Sequence, residues 1–201
     1  YEGNSSTSEA EFTGQINSGS VFRSPHNLYL RTAYTFLPTA EFRGMRLSSI
    51  TSSATLNVYC PTTRRVSATS CSITENRLPY APRVLMTTSI GYSHPRGLDA
   101  FVENVYIGRQ FGDDLNAVNP NSNGQLGAIP SQTYWNATAN YRVEKWRTTF
   151  FVTGKNLLDR IYIVDRTRGL LPSGPRLVQT GIKVSFEFGR SEISVGTRSA
   201  V

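Results

Sequence analysis

The sequence predicts an all-β protein in which antiparallel strands run up and down as part of the wall of a transmembrane β-barrel. Three observations lead to this fold class. Segments with alternating residue types recur along the 201 residues. The connections between these segments alternate between short and long, and the polar side of the segments carries mostly small uncharged side chains. We count about seven such strands.

The clearest strand is RLVQTGIKVSFEF, residues 176–188. Strict alternation indicates a strand whose two faces meet different environments. We expect lipid against one parity and an aqueous lumen against the other. The lipid parity is Val178, Thr180, Ile182, Val184, Phe186 and Phe188, and the lumen parity is Gln179, Gly181, Lys183, Ser185 and Glu187.

The remaining strands are assigned in the same way. LYLRTAYTF, PRVLMTTSIGYS and YWNATANYRV alternate cleanly, whereas LDAFVENVYIGRQF and RTTFFVTGKN carry apolar residues on both parities. Residues 9–22 are predicted to form a further strand. Aromatic residues near strand ends are typical of the girdles at a membrane interface, and they are Tyr92, Trp135, Tyr141, Phe186 and Phe188.

The connections place the strand ends. Short turns are predicted at residues 23–27, 93–97 and 143–146, and long unstructured loops at residues 45–80, 112–130 and 155–175. A compact soluble domain rarely needs three such loops, whereas an outer-membrane barrel has short periplasmic turns and long extracellular loops. A soluble β-sandwich binding module, such as an adhesin, is the alternative, and it would not require detergent.

Charge and the absence of known motifs exclude several classes of function. The formal charge is +7, and arginine far outnumbers lysine. Since no nucleic-acid-binding motif accompanies these arginines, we expect no nucleic-acid partner and favour anionic small molecules or lipid headgroups. Asp113 and Asp114 have no histidine or third acid at a ligand spacing, and no nucleophile or phosphate-binding motif occurs. We therefore expect no enzyme activity, no cofactor and no metal site.

The two cysteines, Cys60 and Cys71, lie in the polar segment CPTTRRVSATSC. A close pair in an exposed loop of an exported protein most often forms a disulfide. The alternative is two free cytosolic thiols.

Several segments resemble the C-terminal part of TonB-dependent outer-membrane receptors, and most closely the ferric dicitrate-type branch. They are NRLPYAPR, VYIGRQFGDDLN, GAIPSQTYWNATANY and GKNLLDRIYIVDRTRGLLPSGPRLVQTGIKVSFEF. The last is similar to the family's closing hairpin, with an Asn-Leu-Leu-Asp corner before the final strand. The family normally ends at its terminal Phe, but here GRSEISVGTRSAV follows Phe188.

The resemblance implies a 22-stranded barrel that encloses an N-terminal plug. Residues 1–188 would then be the C-terminal part of such a barrel, and residues 189–201 a tail beyond the last strand. The implied function is TonB-dependent uptake of a ferric siderophore or a ferric citrate-like chelate across the bacterial outer membrane. The implied partners are that chelate, the TonB energy-coupling complex through an N-terminal region absent here, and outer-membrane lipid and lipopolysaccharide. A passive porin fragment is a further alternative.

Ligand binding is expected at arginines in the predicted extracellular segments, because many ferric chelates are anionic and a guanidinium offers charge-assisted hydrogen bonds. The candidate residues are Arg64, Arg65, Arg77, Arg166 and Arg168. The same arginines could instead bind lipopolysaccharide phosphates or be solvated.

Overall fold

The computed structural model describes residues 4–188 and 191–194. In chain order the strands are β1 (Asn4–Asn17), β2 (Asn27–Arg43), β3 (Arg65–Ser67), β4 (Ser70–Cys71), β5 (Val84–His94), β6 (Leu98–Ile107), β7 (Gln110–Phe111), β8 (Ala128–Ile129), β9 (Gln132–Val143), β10 (Thr148–Lys155), β11 (Ile163–Asp165), β12 (Leu171–Pro172), β13 (Leu177–Phe188) and β14 (Ser191–Ser194). Helix α1 spans Ser18–Phe22 and α2 spans Ser53–Tyr59, and two 3₁₀ helices span Thr62–Arg64 and Glu144–Trp146.

One antiparallel sheet contains all the long strands, in the order β1-β2-β5-β6-β9-β10-β13-β14. Each long strand pairs with the next long strand along the chain, as the up-and-down prediction requires. The seven long strands thus confirm the predicted fold class, and the sheet is consistent with part of a barrel. Within the described residues the long strands form a single sheet, so the two packed sheets of the sandwich alternative are not observed.

Two sequence predictions need correction. The first predicted strand, residues 9–22, begins earlier and ends at Asn17, because Ser18–Phe22 turns as a short helix. The long loops are not unstructured: residues 44–83 contain α2 and the β3–β4 pair, residues 108–131 contain β7–β8, and residues 156–176 contain β11–β12. We call these segments loop 1, loop 2 and loop 3, and together the loop assembly.

The register gives the sheet two chemically different faces. Ile182 is opposite Phe150, Phe150 is opposite Tyr141, and Ala137 is opposite Val102, so apolar side chains continue from strand to strand. We call this side the apolar face, and its members include Phe12, Ile16, Leu28, Leu30, Phe36, Val84, Met86, Ile90, Tyr92, Val102, Tyr106, Trp135, Ala137, Ala139, Tyr141, Phe150, Val152, Val178, Ile182 and Phe186. The predicted alternation is confirmed for the described side chains, while those of Glu187 and Phe188 and most of the tail at residues 189–201 lie outside the description.

Aromatic side chains mark both ends of the apolar face. Tyr92 and Tyr141 lie beside the short turns, and Phe36, Tyr106 and Trp135 lie near the loop assembly. Between the two rows lie aliphatic side chains such as Ile90, Val102 and Ile182, crossed by the polar row Thr32, Thr88 and Asn104. Two aromatic rows about an aliphatic band are the pattern of strands that cross a membrane with interfacial girdles. No helix in the described part of the chain is long and apolar enough to cross a membrane.

The opposite, polar face is held together by side-chain hydrogen bonds across strands. The Tyr29 hydroxyl donates to Asp99 Oδ1 at 3.0 Å, and Asn140 Nδ2 donates to Asp99 Oδ2 at 3.4 Å. The Tyr29 ring crosses above Gly91, where an added Cβ would come within 2.3 Å of a ring carbon. The Arg31 guanidinium lies 4.3 Å from the centre of the same ring. This arrangement explains why a strand in the middle of the sheet carries glycine at position 91.

A β-bulge near the end of β2 reverses its faces. The pairing of β1 with β2 shifts by one residue between Ser8 and Ala10, which leaves Leu37 and Pro38 opposite a single residue. Beyond this bulge the even-numbered residues turn toward the side of the polar face, and Ala40 and Phe42 become 1% and 8% exposed. Proline is tolerated at such a bulge because it does not have to donate a ladder hydrogen bond there. The bulge therefore turns the Phe42 side chain toward the loop assembly.

Candidate ligand-binding loops

The loop assembly has a hydrophobic core of its own. Leu56 of α2 is fully buried, and Ile73 and Cys71 are 2% and 1% exposed. The cluster also includes Phe42, Cys60 and Leu115, with Ile50, Tyr59 and Leu78 packed against it. Since Leu115 belongs to loop 2, this core joins loop 1 to loop 2.

The predicted disulfide is confirmed. Cys60 and Cys71 are bonded, with their Cα atoms 6.0 Å apart. Both half-cystines are buried in the loop core. The bond connects the C-terminal end of α2 to β4, so it fixes the segment that carries Arg64 and Arg65.

Polar contacts connect loop 1 to loop 2 as well. The Asp114 carboxylate accepts hydrogen bonds from the Ser48 hydroxyl at 2.6 Å and from the Ser49 N–H at 2.8 Å. Arg77 N–H donates to Asn116 Oδ1 at 2.7 Å, and Asn116 Nδ2 returns a bond to the Arg77 carbonyl at 2.8 Å. These side chains act as substitutes for backbone partners where no regular sheet continues.

Within loop 2, Asp113 has a structural role. Its carboxylate accepts from the N–H of Gly127 at 2.9 Å and of Ala117 at 3.1 Å. Burial raises the pKa of Asp113, and the two backbone hydrogen bonds act in the opposite direction. The acidic pair at positions 113 and 114 thus shapes loops. No group of three or more metal-ligating side chains comes together in residues 4–188 and 191–194.

Loop 3 joins the other two loops through Tyr80 and Arg166. The Tyr80 hydroxyl donates to Asp165 Oδ1 at 2.5 Å and accepts from the Arg166 N–H at 3.0 Å. The hydrogen bonds from Tyr80 and Thr167 hold the pKa of Asp165 well below its usual range. Tyr80 therefore links the end of loop 1 to loop 3.

Two of the predicted ligand arginines are buried in this framework. Arg166 is 4% exposed, and its guanidinium donates to the carbonyls of Gly124, Leu126 and Ala128 in loop 2. Arg77 is 8% exposed and donates to the carbonyls of Leu37, Pro38 and Ala81, so it satisfies the backbone of the β2 bulge. Burial, together with the nearby Arg83 charge, lowers the pKa of Arg77.

The other predicted arginines are more accessible. The Arg64 guanidinium donates to Asn76 Oδ1, and Arg65 Nη1 donates to Asn57 Oδ1 at 2.7 Å. Two further nitrogens of Arg65, Nε and Nη2, are buried and have no hydrogen-bond partner in the described part of the chain. Arg168 is exposed on loop 3. The structure thus separates the five arginines into two that hold the loops, the half-buried Arg64 and Arg65, and the exposed Arg168.

Arg64 lines a cavity of about 470 Å³ between loop 1 and loop 2. Its walls combine the Tyr59 ring with the amides of Asn76, Asn116 and Asn119. One guanidinium beside several amides suits a polar or anionic ligand with many oxygen atoms. Sequence reasoning missed the asparagines because loop residues distant in sequence converge here only after the loops fold.

The fold resembles part of the barrels of TonB-dependent receptors, which confirms, for the fold, the resemblance seen in the sequence. Among solved structures, the chain is similar to the unliganded ferric citrate transporter FecA, with a TM-score of 0.59 and 18% identity over 87% of this chain and 23% of that chain. It is also similar to the siderophore receptor PiuA from Acinetobacter baumannii, with a TM-score of 0.49 and 17% identity over 75% of this chain and 20% of that chain.

These likenesses concern the fold. This chain spans about a quarter of the length of the FecA chain. No protein-family model matches the sequence, and no curated protein matches it. FecA is named as a transporter and PiuA as a receptor, and neither as an enzyme.

Proposed function

We propose that this chain is the C-terminal part of an outer-membrane receptor that takes up a ferric siderophore or a ferric citrate-like chelate. The observation that carries the proposal is the division of the molecule into a two-faced strand wall and a linked set of loops at one end. An apolar face with aromatic rows suits lipid, and a polar face suits a solvated interior. The similarity of the fold to the ferric citrate transporter FecA supports the same kind of ligand.

The proposed partners follow from this assignment. Energy coupling would come from the TonB complex through an N-terminal region outside these 201 residues. Outer-membrane lipid and lipopolysaccharide would surround the apolar face. Residues 1–188 would form the barrel part and residues 189–201 a tail, of which Ser191–Ser194 pairs with β13.

The proposed ligand site is the 470 Å³ cavity between loop 1 and loop 2, with Arg64 as its cation. Arg65 and Arg168 would add positive charge at the loop surface and attract an anionic chelate. Arg77 and Arg166 would contribute through the loop shape that they maintain, because their guanidinium groups already bind backbone carbonyls.

The proposal is tested by neutralising the accessible arginines in the complete protein that carries this chain. Arg64→Gln combined with Arg168→Gln should weaken binding of ferric citrate or an anionic ferric siderophore by about tenfold at low salt, and less at high salt because of screening. Arg96→Gln, in an exposed turn at the opposite end of the sheet, is the control. Unchanged affinity at low salt, with normal folding, would remove these arginines from the ligand site.

A transport assay separates energy-coupled uptake from passive diffusion. Cells that carry the complete protein should accumulate the ferric chelate only while the proton gradient is intact. Uptake that continues after the gradient is collapsed would contradict the receptor proposal and favour a porin.

A further inference from the structure

The short strand β14 covers part of the outer edge of β13, which is the edge that faces away from β10. The sheet order places β13 between β10 and β14, so these two partners lie on opposite edges of the same strand. β10 pairs with Leu177–Val184, and β14 pairs with Ser185–Phe188 at the end beside the short turns. On the outer edge, Leu177–Val184 has no strand partner among the described residues. β14 thus occupies one end of an otherwise open edge.

This outer edge has a defined role if the sheet is part of a closed membrane barrel. A sheet that crosses a membrane must pair both of its edges, because unpaired backbone N–H and C=O groups are costly in lipid. β13 is the last long strand of the wall along the chain, so its outer edge must meet another strand when the complete barrel closes. We call that partner the closing strand. The closing strand and β14 compete for the same backbone groups at Ser185–Phe188.

The pairing of β14 with β13 is the shortest in the large sheet. It has four register pairs, whereas β10 and β13 share eight and β9 and β10 share seven. A short two-stranded ribbon is only marginally stable in water. A closing strand can pair with all twelve residues of β13, so replacing β14 by the closing strand increases the number of paired backbone groups. The length of the pairing therefore favours displacement of β14 on closure.

We infer that β14 is a temporary cover of the outer edge of β13, which the closing strand displaces as the barrel forms. Before closure, the cover shields the turn-side end of β13 from pairing with other chains, which is the usual hazard of an open strand edge. After closure, β14 no longer pairs with β13. The inference rests on the proposed membrane barrel but not on the proposed chelate.

The first test asks whether β14 still pairs with β13 in the folded barrel. Ser185→Cys with Ser194→Cys places cysteines at register partners of β13 and β14, and we call them the tail pair. Thr138→Cys with Thr153→Cys does the same between β9 and β10, and we call these the wall pair. Partner Cα atoms in antiparallel strands lie about 4.5–5.5 Å apart, a distance that a disulfide spans. Both double variants of the complete protein are folded into lipid vesicles and then oxidised.

Peptide mapping of the oxidised proteins measures the crosslinked fraction of each pair. The tail pair should crosslink about fivefold less than the wall pair, because cysteines on separated strands do not reach disulfide distance. Equal crosslinking of the two pairs would overturn the inference, since β14 would then be a permanent strand of the wall. Cys60 and Cys71 are already bonded to each other, so they do not compete with the introduced cysteines.

The second test asks whether a fixed cover prevents closure. The tail pair is oxidised before folding, and the same double variant with its two introduced cysteines alkylated is the reference without a crosslink. The crosslinked protein should give about threefold less heat-modifiable folded protein than the reference, because the closing strand cannot pair with the covered end of the edge. Equal yields of folded protein would overturn the inference.

Removing residues 189–201 from the complete protein distinguishes a cover from a structural strand. The shortened protein should fold to the same yield at low protein concentration, and it should aggregate more than the unchanged protein at high concentration because the edge is uncovered. Loss of folded protein at low concentration would also overturn the inference. Ferric chelate binding is a separate measurement: a barrel that folds and releases β14 but binds no chelate would refute the uptake proposal and leave this inference standing.

Discussion

The sheet and the loop assembly use apolar residues in opposite ways. On the sheet, Ile182 and Ile90 are 54% and 63% exposed although they belong to a continuous apolar face. In the loops, Leu56 and Ile73 are 0% and 2% exposed. The loops therefore carry a core that the chain itself supplies, whereas the apolar face needs an environment from outside the chain. Two regions of one polypeptide thus obey different rules of burial, and substitutions should distinguish them.

The largest expected effect is in the loop core. Leu56→Ala leaves a cavity beside the disulfide and should cost about 2–5 kcal/mol of loop stability. Val58→Ala is the matched control, since Val58 lies on the same helix and is 73% exposed. Amide hydrogen exchange should accelerate in loops 1 and 2 for the first variant only. Acceleration across the sheet as well would show that the two regions unfold as one unit.

The next effect tests the apolar face. Ile182→Arg places a charge where we expect lipid, at a cost of about 2–4 kcal/mol near the midplane of the membrane. Ser185→Arg, on the polar face of the same strand, should cost much less. The yield of heat-modifiable folded protein measures both. Equal losses would contradict the assignment of the faces.

The disulfide comes third. Replacing Cys60 and Cys71 with serine should remove roughly 3 kcal/mol, the chain-entropy contribution of a loop of about a dozen residues. Because the bond lies within the loop core, the loss should appear as faster exchange in loop 1 and not as loss of the folded sheet. Non-reduced peptide mapping of the unchanged protein should show the linked pair, and free thiols would contradict the structure.

The smallest effect concerns the link between loop 1 and loop 3. Tyr80→Phe removes the donor to Asp165 and should raise loop 3 exchange rates a few-fold, whereas Tyr141→Phe on the apolar face should not. The pKa of Asp165 is lowered in the folded state, so its contribution is present above the ordinary Asp pKa of about 3.9 and is lost as the pH falls through the lower folded-state value. Loop 3 should therefore loosen below about pH 4 in the unchanged protein. Fast hydrogen exchange in loop 3 of the unchanged protein already at pH 6 would contradict this link.

Much of the sheet could be predicted from sequence, because alternation with a period of two reports directly on the faces of a strand. Val178 and Ile182 were assigned to the apolar face from this pattern alone, and the register agrees. The ambiguous strand with Phe150 and Phe151 could not be assigned, because both faces can hold an aromatic ring. Pairing settles it, since Phe150 is opposite Ile182 and Phe151 is opposite Gly181.

The site was harder to predict because charge alone does not tell a ligand-binding arginine from a structural one. Arg77 and Arg166 were grouped with Arg64, yet their burial and carbonyl partners depend on loops that fold together over some forty residues. The structural roles of Asn116 and Tyr80 also depend on tertiary contacts, so no local pattern marks them.

The β-bulge at Leu37 and Pro38 marks a point at which the loop assembly could be replaced without changing the sheet. The one extra residue at Leu37 and Pro38 determines that Phe42, and not Glu41, faces the loop core. Deleting one residue of this pair would exchange the two faces of β2 between the bulge and loop 1, without changing the faces of β2 before the bulge. A grafted loop would keep its orientation only if the donor and the recipient share this one-residue offset. In protein engineering terms, the bulge determines which side chains of a grafted loop face the core of the loop assembly.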